Sequence, residues 1–159
     1  MPFDFVSYRT GLRAVIDSVW PEVLPSLAGG GVWTRARVEE VAFEEIAVPM
    51  AVIQPGTSRE SAEWSGLTGQ AYEIETMFHY VRRRDLVTDI EEFVEARLTA
   101  LADYLLYHSA AGIPKGQCLA VTALDALEAN EVNAILLEKN LPYYGGTLTA
   151  TLLAGTNPG

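Results

Sequence analysis

A chain of 159 residues is long enough for one domain with a sizeable buried core, and its 49% hydrophobic and 20% charged residues are typical of a soluble globular protein. The balance of 11 basic against 21 acidic residues gives a formal net charge of −10. Such a surface repels phosphate backbones, which argues against adhesive nucleic-acid binding but not against a surface past which DNA slides.

Cysteine content and apolar segments bear on the compartment. The single cysteine, Cys118, excludes an internal disulfide. The N-terminus lacks a basic region followed by a clean apolar run, and no apolar stretch approaches the roughly 20 residues that span a bilayer. We therefore expect a soluble protein made in the cytoplasm.

The first predicted element is a helix from Ser7 to Trp20, with Ser7 as N-cap and Pro21 as its end. Its apolar residues recur at spacings of three and four, which places them on one helical face: Leu12, Val15, Ile16 and Val19.

Two strands are predicted next. Alternation with a period of two indicates a strand from Val32 to Val41, and "VPMAVIQPG" indicates a short apolar strand that begins near Pro49 and closes at Pro55 and Gly56. Residues 54–70 then form a long polar connection with Trp64 in its middle. Trp64 either tucks back onto the domain or anchors a neighbouring subunit from an extended hairpin arm.

The clearest predicted strand is "AYEIETMFHYVRR", Ala71 to Arg83, in which aromatic and β-branched residues alternate with polar ones. One face carries Tyr72, Ile74, Thr76, Phe78 and Tyr80, and the other carries Glu73, Glu75, Met77 and His79. The strand runs into a basic triplet: Arg82, Arg83 and Arg84. Such a triplet is either a solvated edge or, in a self-assembling protein, a contact for an acidic face of the next copy.

A long helix is predicted from Thr88 to Tyr107, with Thr88 and Glu91 in capping-box spacing. An apolar stripe faces the core, and the other side is acidic, with only Arg97 against Asp89, Glu91, Glu92, Glu95 and Asp103. The helix dipole accounts for acids in the first turn, but Glu95 and Asp103 lie beyond its reach.

The rest of the chain predicts a strand from Leu119 to Leu124, a short helix with Asn130 as a cap, and a last strand from Thr147 to Leu153. This order defines an α+β fold in a single domain, 1–159: a mixed or antiparallel sheet packed against one long helix and the N-terminal helix, with a long hairpin loop around 54–70. The last strand either completes an internal sheet or lies at an edge, where it would pair with a strand of the next subunit.

Catalytic chemistry is not indicated. His79 and His108 lack a zinc-ligand spacing, and Cys118 has no evident catalytic partner. Phosphate-binding and nucleophile motifs are missing from the sequence, and the paired glutamates are sequence neighbours that diverge on either a strand or a helix. We expect no enzymatic activity, no cofactor and no metal.

A family resemblance is carried by the layout of the whole chain. An N-terminal helix, "GVWTRARVEEVAFEEIAVPMAVIQPG", "YEIETMFHYVRRRD", the acid-capped helix "DIEEFVEARLTALADYLL" and the closing "YYGGTLTATLLAG" together resemble the tail terminator (tail completion, head–tail joining) proteins of long-tailed bacteriophages, over about residues 7–154. The resemblance implies a virion protein that forms a ring, usually of six copies. Such a ring caps the tail tube, stops its polymerisation and docks the head through connector or neck proteins, while DNA passes through without specific binding.

For such a ring, residue types and positions suggest contact and channel residues. Contacts with the next subunit or the tube are expected at Trp64, Arg82, Arg83, Arg84, Tyr143, Tyr144, Thr149 and Thr151. Acids lining the channel are expected at Glu91, Glu95 and Asp103, or among the exposed acids of the strands. Three alternatives stay open. They are a head-side adaptor or stopper, a small ligand-binding or cyclase-like domain with a pocket near Tyr72, Tyr80 and His79, and a plain homodimeric structural domain.

Overall fold

Five strands form one mixed sheet in the spatial order first, second, third, fifth, fourth. The structure is a computed structural model that describes residues 5–23, 31–33, 38–45, 48–60, 71–84, 89–107, 116–125 and 130–155. In chain order the helices and strands are α1 (Phe5–Val19), β1 (Gly31–Trp33), β2 (Met50–Glu60), β3 (Ala71–Arg83), α2 (Ile90–Tyr107), β4 (Gly116–Asp125), α3 (Glu131–Glu138) and β5 (Tyr143–Gly155). The predicted α+β class and single small domain are confirmed.

Antiparallel pairing joins β2, β3, β5 and β4, and only β1 runs parallel to its neighbour β2. The longest ladder joins β3 and β5 along their whole lengths, from Ala71 opposite Gly155 to Arg83 opposite Tyr143. These two strands therefore lie inside the sheet.

The main hydrophobic core lies between one face of the sheet and the helices α1 and α2. The predicted stripe of α1 is buried there at Leu12, Val15 and Ile16, and α2 contributes a second stripe: Val94, Leu98, Leu101, Ala102 and Leu105. The alternating residues of β3 and β5 supply the sheet side, because every second side chain of a strand points to the same face. We call this side of the sheet the helix face.

A second, smaller core lies on the opposite face, at the end of the sheet where β2 begins and β3 ends. It is formed by apolar residues of α3, the sheet and two 3₁₀ turns, Val38–Glu40 and Phe43–Glu45: Val38, Val41, Phe43, Met50, Val52, Val81, Val132, Ile135 and Leu136. Val81 belongs to this core, whereas its neighbour Tyr80 belongs to the main one.

The side chain of Asn133 joins α3 to β5 beyond the end of β4. In the described residues, pairing of β4 with β5 extends as far as Asp125 opposite Thr147, and Gly145 has no β4 partner there. The Asn133 amide replaces it: Nδ2 donates to the Gly145 carbonyl at 2.7 Å, and Oδ1 accepts from the Gly145 N–H at 2.7 Å. A Cβ at Gly145 would lie 2.7 Å from Val132 Cγ1 and 2.8 Å from the Tyr80 carbonyl oxygen, so only glycine allows this close approach.

Several predicted boundaries are correct. The strand Ala71 to Arg83 has the predicted ends, β2 begins directly after Pro49, and α3 begins after Asn130, whose side chain accepts from the Asn133 N–H at 2.9 Å. In the last strand the predicted face of Leu148, Ala150 and Leu152 is buried.

Other predicted boundaries are wrong. Ser7 lies inside α1 rather than capping it. Helix α2 begins at Ile90, and the Asp89 carbonyl accepts from the Phe93 N–H at 3.0 Å; the predicted cap Thr88 lies outside the described residues. Asp89 adopts φ 53°, a left-handed conformation that aspartate tolerates better than most residues.

The strand predicted from Val32 to Val41 ends earlier, since Val38–Glu40 is a 3₁₀ turn. The polar connection was predicted to begin at residue 54, but β2 continues to Glu60. The strand includes Pro55 and Gly56 because its pairing with β3 shifts register between Pro55 and Ser58. Only residues 61–70 of that connection, with Trp64, lie outside the described residues.

The last strand is internal, so the hypothesis that it pairs with the next subunit through a free edge is wrong. β5 lies between β3 and β4, where Thr149 is opposite Met77 on one side and Ala123 on the other, and Thr151 is opposite Glu75 and Ala120. Its backbone groups are therefore used within the sheet. "YYGG" is likewise not a turn, because Tyr143 to Gly146 already pair with β3.

The Asn133 bridge predicts that Asn133 contributes more to stability than Asn130, the N-cap of the same helix. Asn133→Ala leaves two buried backbone groups of Gly145 unsatisfied and should lower the free energy of unfolding by about 2–4 kcal/mol. Asn130→Ala removes the N-cap hydrogen bond and should cost about 1 kcal/mol. Chemical denaturation of both variants measures this difference, and equal losses would contradict the bridging role of Asn133.

Candidate functional site

The outward side of α2 is acidic along most of the helix. Glu91, Glu92, Glu95 and Asp103 are exposed, while the apolar stripe beneath them is buried against the sheet. The sequence of α2 contains one basic residue, Arg97. Whether Arg97 offsets this acidic surface depends on what its guanidinium contacts.

Arg97 is bound by a carboxylate from another part of the chain. Its Nε donates to Glu22 Oε2 at 2.6 Å, and its Nη2 donates to Glu22 Oε1, so both oxygens of Glu22 are engaged. Glu22 also accepts a hydrogen bond from the Tyr80 hydroxyl at 2.9 Å. Burial alone would raise the pKa of Glu22, but the hydrogen bonds from Arg97 and Tyr80 hold that pKa below its ordinary value.

This ion pair joins the end of α1 to the middle of α2 on top of the main core. Trp20 Nε1 donates to the Arg97 carbonyl at 2.8 Å, and the Trp20 ring meets the Tyr80 ring edge-on at 5.0 Å between centroids. Burial raises the pKa of the Tyr80 hydroxyl, which therefore remains a donor at neutral pH. Since Arg97 is neutralised by Glu22, the four exposed acids of α2 are left without a cation on their own helix.

Arg82 lies beside the same cluster and is paired with no carboxylate in the described part of the chain. Its guanidinium carbon is 4.7 Å from the centroid of the Phe93 ring, and its Nη1 donates to the Tyr80 hydroxyl at 3.0 Å. Its Nε is buried and has no acceptor within the described part of the chain. Arg97 approaches the same ring, at 5.9 Å, so two guanidinium groups lie near Phe93 while Glu22 binds only one of them.

The basic triplet does not form one patch. Arg82 points to the helix face, and Arg83, next along the strand, points to the opposite face. Arg84 is exposed and lies over the ring of Tyr144, 5.1 Å from its centroid, while its Nε donates to the Tyr143 carbonyl at 3.3 Å.

The predicted contact residues are thus brought together only in part. Tyr144 is buried in the main core, and Tyr143 packs partly buried against the second core. Thr149 and Thr151 are half-buried on the face opposite the helices. Trp64 lies outside the described residues.

The pocket expected around Tyr72, Tyr80 and His79 is not formed by these three residues. Tyr80 is fully buried on the helix face with Tyr72 packed nearby, whereas His79 points to the other face. There His79 is 2% exposed, with Nδ1 2.9 Å from Thr147 Oγ1 and Nε2 3.4 Å from Gln54 Oε1. Burial lowers the pKa of His79 to about 4, so the imidazole is neutral at pH 7.

An acidic groove along α3 is a feature that sequence analysis missed. It has a volume of about 580 Å³ and lies between the first 3₁₀ turn and α3; its lining residues are Glu39, Glu131, Ala134, Ile135, Glu138 and Lys139. The Lys139 Nζ forms an ion pair with Glu44 Oε2 at 3.5 Å and donates to the Val41 carbonyl at 3.3 Å. Residues from two distant segments meet here, so no spacing within the sequence indicates the groove. The Glu22–Arg97 pair, 75 residues apart, was missed for the same reason.

Within the ranges that the structure covers, no group of three His, Cys, Asp or Glu side chains is arranged to hold a metal ion. None of the described helices is long and apolar enough to cross a membrane.

No protein-family model matches the chain, and no curated protein is significantly similar to it.

His79 predicts a pH dependence of stability. Its pKa falls from about 6.5 in the unfolded chain to about 4 in the fold, so the unfolded state binds the extra proton between these values. Its stabilising contribution is complete above pH 6.5 and is lost as pH falls toward 4, by about 3 kcal/mol in total. Chemical denaturation at pH 7.5 and pH 4 should show that the free energy of unfolding falls less for His79→Gln than for wild type. An equal fall in both proteins would contradict the role of His79.

The Glu22–Arg97 and Glu44–Lys139 ion pairs are expected to contribute unequally to the free energy of unfolding. Glu22→Gln leaves the partly buried Arg97 without its carboxylate and should lower the free energy of unfolding by about 1–3 kcal/mol. Glu44→Gln breaks the more exposed contact with Lys139 and should cost less than about 1 kcal/mol. Thermal and chemical unfolding of both variants provide the measurement, and a Glu22 variant as stable as wild type would show that the pair contributes no stability.

Proposed function

We propose that the chain is a structural virion protein that forms a ring on the end of a phage tail tube. In this proposal identical copies, six in the usual arrangement of the family it resembles, stop tube polymerisation and present the surface to which the head docks. The ring acts without catalysis or cofactor, and its partners are itself, the tube protein and the head–tail connector. Its location is the virion, after assembly in the host cytoplasm.

The observation that most supports this proposal is the exposed acidic side of α2, whose one basic residue is bound to Glu22. Glu91, Glu95 and Asp103 are exposed, Glu92 adds to them, and the only cation of the helix is bound to Glu22. A channel wall of this kind repels the phosphates of passing DNA and keeps them from binding. We therefore propose that α2 faces the channel.

The hairpin of β2 and β3 supports a contact with neighbours. Pairing of these strands continues to Glu60 opposite Tyr72, so the segment that contains Trp64 connects adjacent strand ends. A tryptophan in a hairpin connection is suited to anchor a contact, because large aromatic side chains contribute disproportionately to binding energy. Trp64 therefore stays in the proposal as a residue of the subunit or tube interface.

The proposal is tested by native mass spectrometry of the purified protein, alone and with purified tail tubes, followed by negative-stain imaging. Closed rings, or a monomer that caps tube ends, are the expected results. A stable monomer or dimer that ignores tubes would overturn the proposal and favour an adaptor or a ligand-binding domain.

The acidic channel predicts a separation between assembly and DNA passage. The triple variant Glu91→Lys, Glu95→Lys, Asp103→Lys should assemble normally, because these side chains point away from the core, but should slow DNA ejection on the order of tenfold. The slowing should weaken as salt rises, since lysine–phosphate contacts release counterions.

The matched control carries the same charge change elsewhere: Asp17→Lys, Glu40→Lys, Glu45→Lys, three exposed positions off α2. It should eject DNA at the wild-type rate. Particles of the α2 variant that also eject at the wild-type rate would show that α2 does not face the channel.

A further inference from the structure

We draw no further inference here: the strongest candidate, the pair of partly buried arginines four residues apart on α1, Arg9 and Arg13, carries no proposal because nothing in the structure shows what covers it.

Discussion

The pairing of β3 with β5 along 13 residues determines where every other group of the molecule lies. Because side chains alternate along both strands, this ladder divides them between two cores. Phe78 and Tyr80 point to α1 and α2, and His79 and Val81 point to the opposite face. A shift of one residue in this register would exchange the two sets and place a histidine in the main core.

The ladder also brings together the polar groups at the end of the sheet. Tyr80 and Arg82 lie on the helix face of β3, where α1 ends and α2 passes, and Glu22 reaches both Tyr80 and Arg97 there. One carboxylate thus lies among two guanidinium groups, and its geometry favours Arg97, which takes both oxygens. The result is a neutralised Glu22–Arg97 contact, beside which Arg82 is held by the Tyr80 hydroxyl and the Phe93 ring.

Sequence patterns correctly predicted the features that depend on residues close together in the chain. The alternation of β3, the stripe of α2 and the Asn130 cap depend on residues within a few positions of each other, and each was found where predicted. The position of β5 depends instead on which strand pairs with β3 over a long sequence distance, and Thr–apolar alternation is equally compatible with an edge or an interior strand.

The sites follow the same division. The acids of α2 were found from the sequence because they share one helix, and their exposure agrees with their spacing. The Glu22–Arg97 pair, the Asn133 bridge and the groove along α3 each join separate segments, so only the assembled sheet brings them into contact. Alternation also failed to predict a strand at one place. The alternating residues Val38 to Glu40 form a 3₁₀ turn, and Val38 packs against α3 in the second core rather than in the sheet.

The distribution of charge argues for unlike contacts between copies. A twofold dimer joined through α2 would bring Glu91, Glu95 and Asp103 of each copy against the same acids of the other, and like charges across an interface are unfavourable. A twofold contact through the α3 groove would meet the same repulsion from Glu131 and Glu138. On a chain with a net charge of −10, the arrangement that avoids both is one in which a basic position meets a different, acidic one. In the proposed ring, such a contact repeated around an axis leaves α2 free to line the channel.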